Sequence, residues 1–103
     1  MKKAEVKPEV REILDMTCLY YSKRSENKNK FYIATIEKDK HGIFVVFKYG
    51  RLGNTKPSKR GYPCSSLGQA QKKYFDKIRE QKNQGYLETD LEVIMQSDGS
   101  FME

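Results

Sequence analysis

The sequence predicts an α+β domain: an antiparallel sheet of three to five strands with one long α-helix packed across it. Three observations carry this. Short β-branched and aromatic runs stand at Thr17–Ser22, Phe31–Lys38 and Ile43–Tyr49. Asp39-Lys40-His41-Gly42 is a tight turn signal, which forces the runs on either side of it into an antiparallel hairpin. Between Ser66 and Gly85, Leu67, Ala70, Tyr74 and Ile78 recur at helical spacing. At 103 residues the chain is one small domain or part of one, and its twelve aromatic residues argue against a disordered tail.

Taken in order, residues 1–17 read as an appendage. Pro8 and Glu9 suit the first turn of a short helix with Val10, Ile13 and Leu14 on one side, or the segment is a frayed end. Leu19, Tyr20 and Tyr21 belong to the first strand, and Lys23–Lys30 is a polar loop. In the second strand Phe31 and Ile33 share one face while Tyr32, Ala34 and Ile36 share the other, so both faces of the sheet are expected to be partly covered. The third strand ends at Gly50. A basic loop, Arg51–Arg60, leads to a short fourth strand, Gly61–Cys64, which Pro63 places at a sheet edge. Ser66 is the N-cap of the long helix and Gln69 completes a capping box. Phe75 widens the apolar stripe, and Gly85 ends the helix. Leu91–Met95 reads as a last strand or an extended segment, and Ser97-Asp98-Gly99-Ser100 as a turn.

Charge is placed unevenly. All twenty Lys and Arg precede residue 84, whereas residues 87–103 hold five acids and no base. The first 86 residues therefore carry +11 and the rest −5. A basic body argues for a polyanionic partner, nucleic acid ahead of an anionic membrane face. No apolar run has the length of a secretory leader or a membrane span, so a cytoplasmic, non-secreted protein is expected. Cys18 and Cys64 are expected to be free thiols.

Catalytic signatures are missing. His41 is the one histidine and lies in a turn; with Cys18 and Cys64 it lacks zinc-ligand spacing. There is no phosphate loop, no dinucleotide fingerprint and no paired acids on an apolar segment. No enzyme activity, cofactor or metal is expected. What the chain does supply is bases and rings. From Lys40 to Phe75 it has eight Lys and Arg and no acid. Tyr49 and Tyr62 bracket the basic loop and are expected at the surface. Bases hold phosphates by charge and counterion release, and rings stack on sugars or bases without reading sequence.

Asn27-Lys28-Asn29-Lys30-Phe31-Tyr32-Ile33 and Val45-Val46-Phe47-Lys48-Tyr49-Gly50-Arg51-Leu52-Gly53 resemble the WGR domain, named for Trp-Gly-Arg in the context R-W-G-R-x-G. Ser65-Ser66-Leu67-Gly68-Gln69-Ala70, Tyr74-Phe75 and Lys82-Asn83-Gln84-Gly85-Tyr86 follow in the family's order; the last is similar to its K-T-x-x-G-Y/W motif. The resemblance covers about Leu19 to Glu88. It divides the chain into an appendage (1–17), a WGR-like domain (18–88) and an acidic segment (89–103). WGR domains occur in DNA-damage-dependent poly(ADP-ribose) polymerases, where they bind DNA breaks, and in small bacterial proteins. The resemblance implies that Tyr49 takes the place of the Trp and stacks on a terminal sugar, that Arg51 takes the Arg role, and that Asn29 adds a polar contact. Tyr is a smaller ring with a polar tip, so weaker stacking is expected.

The reading is a DNA-binding module for duplex ends, nicks or 5′ phosphates. Its site comprises Lys48, Tyr49, Gly50, Arg51, Asn29, Lys56, Lys59, Arg60 and Tyr62. The alternative is a protein-interaction or regulatory module that uses the same basic face, with residues 87–103 as a mask; RNA is a weaker third partner. Oligomeric state is left open.

Overall fold

The computed structural model describes residues 11–53 and 56–96, with backbone only at 95 and 96. Five strands form one antiparallel sheet: β1 (Glu12–Lys23), β2 (Lys28–Asp39), β3 (Gly42–Arg51), β4 (Ser58–Cys64) and β5 (Leu87–Thr89), in the order β4-β3-β2-β1-β5. Helix α1 (Leu67–Asn83) crosses one face, carrying the chain from the β4 edge to the β5 edge. A short helix, α2 (Leu91–Gln96), follows β5. The α+β architecture is as expected, and Pro63 does lie on an edge strand, where its missing N–H breaks no ladder.

The β2–β3 hairpin sets the register of the sheet. Asp39 pairs with Gly42 around a two-residue loop, and Gly42 takes φ +141°, a conformation open to glycine. The His41 backbone N–H donates to Asp39 Oδ1 at 2.7 Å, and Arg11 Nε donates to Asp39 Oδ2 at 3.1 Å. Burial pushes the Asp39 carboxyl up, but the His41 amide and then the Arg11 guanidinium outweigh it and hold the pKa below the usual value. From this turn the ladder runs to Tyr32↔Tyr49 and Lys30↔Arg51.

Strand alternation then sorts the side chains. Tyr32, Ala34, Ile36, Val45 and Phe47 face α1, which answers with Ala70, Tyr74 and Ile78; Leu19 and Tyr86 complete this main core. Tyr74 is fully buried, and its hydroxyl shares a 2.6 Å hydrogen bond with Thr17 Oγ1. On the other face Cys18 and Phe31 pack with Ile94 of α2 in a smaller core. Both faces of β2 are therefore covered, as its sequence pattern indicated. Beside the smaller core lies an apolar trough of about 360 Å³, whose walls include Ile13, Met16, Ile33 and Leu91.

Helix α1 begins as its sequence indicates, with one change. Gln69 N–H donates to Ser66 Oγ at 3.1 Å, but Gln69 Oε1 accepts from Ser65 N and Oγ rather than from Ser66. Leu67 and Phe75 are exposed, so the buried stripe is narrower than expected; Phe75 lies edge-on to Tyr74. At the other end Gly85 has φ +110°, the Gly85 N–H bonds Lys82 O and the Tyr86 N–H bonds Gln81 O. This double closure is the Schellman pattern.

Two expectations are corrected. Ile13 and Leu14 lie in β1, not in a short helix: residues 12–17 have a β2 partner strand, and six to eight residues of helix cannot compete with a ladder. Leu14 is the extra residue of a bulge between Ile13 and Asp15, so Ile13 and Met16 both point to the trough. Leu91–Gln96 is helical rather than extended, because Ile94 must reach Cys18 and Phe31 across the face. The chain around Glu88, Asp90 and Glu92 is thus built into the body. Pro8, Glu9, Val10 and the Ser97–Ser100 turn lie outside the described residues.

Candidate nucleic-acid interface

The end of the sheet near the β1–β2 turn carries a row of rings on the α1 face. Tyr21 lies 5.4 Å from Tyr86, Tyr86 6.2 Å from Tyr32, and Tyr32 5.2 Å from Tyr49. The Tyr32–Tyr49 pair is stacked, at 12°. Tyr32 also meets Phe47 at 5.8 Å, and Phe47 meets Tyr62 at 5.9 Å. Strand pairing builds the row: Tyr32 and Tyr49 are direct partners, and Tyr62 is the partner of Val45, diagonal to Phe47. Burial pushes the Tyr32 hydroxyl up to about 12 and raises that of Tyr86 as well.

Cations border the row. Lys30 Nζ sits 5.2 Å above the Tyr21 ring, and Lys73 Nζ 4.4 Å above Tyr62. Arg51, the partner of Lys30, is exposed and its Nη2 reaches Asn27 O at 3.4 Å. Tyr32, Phe47, Tyr49, Arg60, Tyr62 and Lys77 enclose a pocket of about 290 Å³. Hydrogen bonding to the Tyr49 hydroxyl, and next to that of Tyr62, raises the pKa of the Arg60 guanidinium. Arg60 is charged at any working pH. A tyrosine at position 49 brings a hydroxyl acceptor to this pocket, which an indole lacks.

The nine residues singled out from sequence divide between two faces. Tyr49, Arg60 and Tyr62 meet in the pocket, with Arg51 two residues beyond Tyr49 on the same side. Lys48 and Lys59 are partners of each other on the opposite face, because neighbours in a strand point opposite ways. Gly50 lies in β3 opposite Phe31 without positive φ; of the two glycines in the motif only Gly53 has it, at +88°. Lys56 is exposed just before β4. Asn29 Oδ1 accepts from Ser22 Oγ at 2.9 Å and Tyr20 OH at 3.1 Å, while its backbone O takes the Leu52 N–H at 2.9 Å. Asn29 therefore ties the β1–β2 turn to the motif loop, and its side-chain amide hydrogens are what it has to offer a ligand.

Tyr49 is half-buried against Tyr32 rather than freely exposed. Sequence reasoning missed Tyr32, Lys30, Lys73 and Lys77 at this surface. The hairpin could have found the first two, since a turn pairing Asp39 with Gly42 also pairs residues 32 with 49 and 30 with 51.

The architecture is that of a small antiparallel sheet backed by one helix, with a row of rings edged by cations at one end. The particular family follows from the chain itself: the WGR domain family model matches residues 16–93, most of the length, and this chain belongs to that family. WGR domains are nucleic-acid-binding modules and are not catalytic by themselves. No curated protein and no solved structure matches the chain. Among the described residues, no helix is long and apolar enough to cross a membrane.

Proposed function

We propose that this chain is a non-enzymatic DNA-binding module that recognises duplex ends or nicks, including their 5′ phosphates, with little sequence preference. The observation that carries the reading is Tyr49. It is stacked on Tyr32 and flanked by Arg60 and Arg51 at the open end of the ring row. A ring backed by another ring is held in place before any ligand arrives. It offers a flat surface to a terminal sugar or base, with Arg60 in the same pocket and Arg51 two residues along the strand to meet phosphate.

In this reading Tyr49 stacks, Arg51 and Arg60 bind phosphate, and Tyr62 completes the rim; Asn29 faces the other side of the sheet, with Phe31, and serves by holding the β1–β2 turn against the motif loop. Lys56 adds charge near β4. Lys48 and Lys59 act by attracting the polyanion over a longer range, because they face the other way.

Binding to a short blunt duplex, followed by fluorescence anisotropy, tests this. Tyr49→Ala should cost about 1–3 kcal/mol, the value of one stacked ring. Arg51→Ala should weaken binding and flatten the salt dependence by about one counterion. A closed circle that binds as well as its linearised form rules out end recognition.

A further inference from the structure

A groove of about 560 Å³ runs between edge strand β4 and helix α1, lined in part by Tyr62, Gln69, Lys72, Lys73 and Lys77. Tyr62 and Lys77 also line the Tyr49 pocket, so the two spaces adjoin. Two acids, Asp76 and Glu80, stand in the groove, and both are held by the helix itself. Asp76 takes Lys72 at 2.9 Å and Arg79 at 3.3 Å, while Glu80 takes Lys77 at 3.1 Å. The Lys72 bond chiefly, with Arg79 further down the order, holds the Asp76 carboxyl below its usual pKa. Lys72, Lys73 and Lys77 stand against these two acids, so the groove keeps a net positive charge. Its floor has one aromatic ring, Tyr62, with the Lys73 ammonium 4.4 Å above it.

We infer that this groove takes the single-stranded extension of a DNA end whose duplex terminus sits at Tyr49. The inference rests on the end-binding reading. Three features fit a single strand. The groove lies in the size range of small-ligand sites and is far too small for a duplex. A base stacking on Tyr62 replaces the Lys73 ammonium on the same ring face, and the released ammonium turns to the adjoining phosphate, so no charge is left stranded. The outer edge of β4, the last strand on its side of the sheet, supplies backbone polar groups along the track. None of this reads sequence, which suits an overhang of any composition.

The test compares one duplex in three forms: blunt, with a 3′ single-stranded extension, and with a 5′ extension. Wild-type protein should bind one extended form at least about fivefold more tightly than the blunt form, the lower value of one stacked base. The double variant Lys72→Gln/Lys73→Gln should lose that gain. A Lys38→Gln/Lys40→Gln control removes the same charge at the far hairpin turn and should keep it. No gain from either extension, or a gain that the groove variant retains and the far control loses, overturns the inference. Wild-type protein that binds the blunt duplex while showing no such gain refutes the groove alone. Failure to bind any of the three refutes the end-binding reading together with it. Variants that still bind the blunt duplex at near wild-type strength are thereby shown to be folded.

Discussion

Replacing Gly85 by alanine attacks the fold and the ring row together. Gly85 has φ +110°, which L side chains rarely adopt, and forcing one there costs about 1–3 kcal/mol. The new Cβ would also stand 2.9 Å from Tyr21 Cε1 and 3.3 Å from Cδ1. That ring cannot simply swing away, since it lies against Tyr86 and under Lys30. Overpacking of this kind adds about 1–3 kcal/mol. Gly42→Ala is the matched control: its φ is +141°, but nothing lies within 4 Å of the added Cβ, so only the backbone term applies. With a domain of this size losing about 4–8 °C per kcal/mol, Gly85→Ala should melt about 4–24 °C below Gly42→Ala. Thermal unfolding followed by circular dichroism reads the difference, and aromatic NMR shifts of Tyr21 and Tyr86 report the displaced rings. Equal melting temperatures for the two variants, or unmoved Tyr21 and Tyr86 resonances in Gly85→Ala, would refute the close approach at Tyr21 as the reason for glycine.

Burial holds the Tyr32 and Tyr74 hydroxyls at about 12, whereas an unfolded tyrosine ionises near 10. Their contribution is therefore intact below pH 10 and is lost as pH rises through 12. The full loss is about 2–3 kcal/mol for each, of which about half is reached by pH 11 and is read from urea midpoints at pH 8, 10 and 11. A midpoint that stays level to pH 11 contradicts it. Tyr74→Phe should lower stability at pH 8 by about 1 kcal/mol through the lost Thr17 bond, and should also make the alkaline fall shallower. Cys18 is buried, and its thiol is raised first by burial and then by Asp90, whereas Cys64 is half-buried on the edge strand. A thiol reagent at neutral pH should label Cys64 well before Cys18, as mass spectrometry of the digested protein will show; the reverse order would put Cys18 outside the core.

Much of this was readable from local chemistry. The turn at Asp39–Gly42 fixes its hairpin, and Ser66 and Gly85 mark the long helix because capping and positive φ are properties of single residues. The site was less legible. Tyr49 and Lys48 are adjacent in a strand and must face opposite ways, so a cluster drawn from neighbouring letters mixes two surfaces. The partners of Tyr49 come from β2, β4 and α1, and only the register brings Tyr32, Arg60 and Lys77 to it. Residues 91–95 misled because five residues of alternating apolar character fit a strand or one turn of helix equally well. Their helical form is decided by where Ile94 has to go. Pro8 drew attention to a helix start, while the strand beginning at Glu12 depends on a partner more than twenty residues away.

The bulge at Leu14 bears on how the molecule behaves among its own copies. Strand β5 covers β1 only at Cys18–Tyr20, and among the described residues no strand covers the outer edge of Glu12–Thr17. Ile13, Leu14 and Met16 are all exposed there. A regular strand of that composition would be a template for another chain's backbone. The inserted residue breaks the even spacing of its N–H and C=O groups and increases its twist, and Asp15 sets a charge beside it. The protein can thus carry an apolar sheet margin while presenting neighbouring molecules with an edge they cannot zip onto.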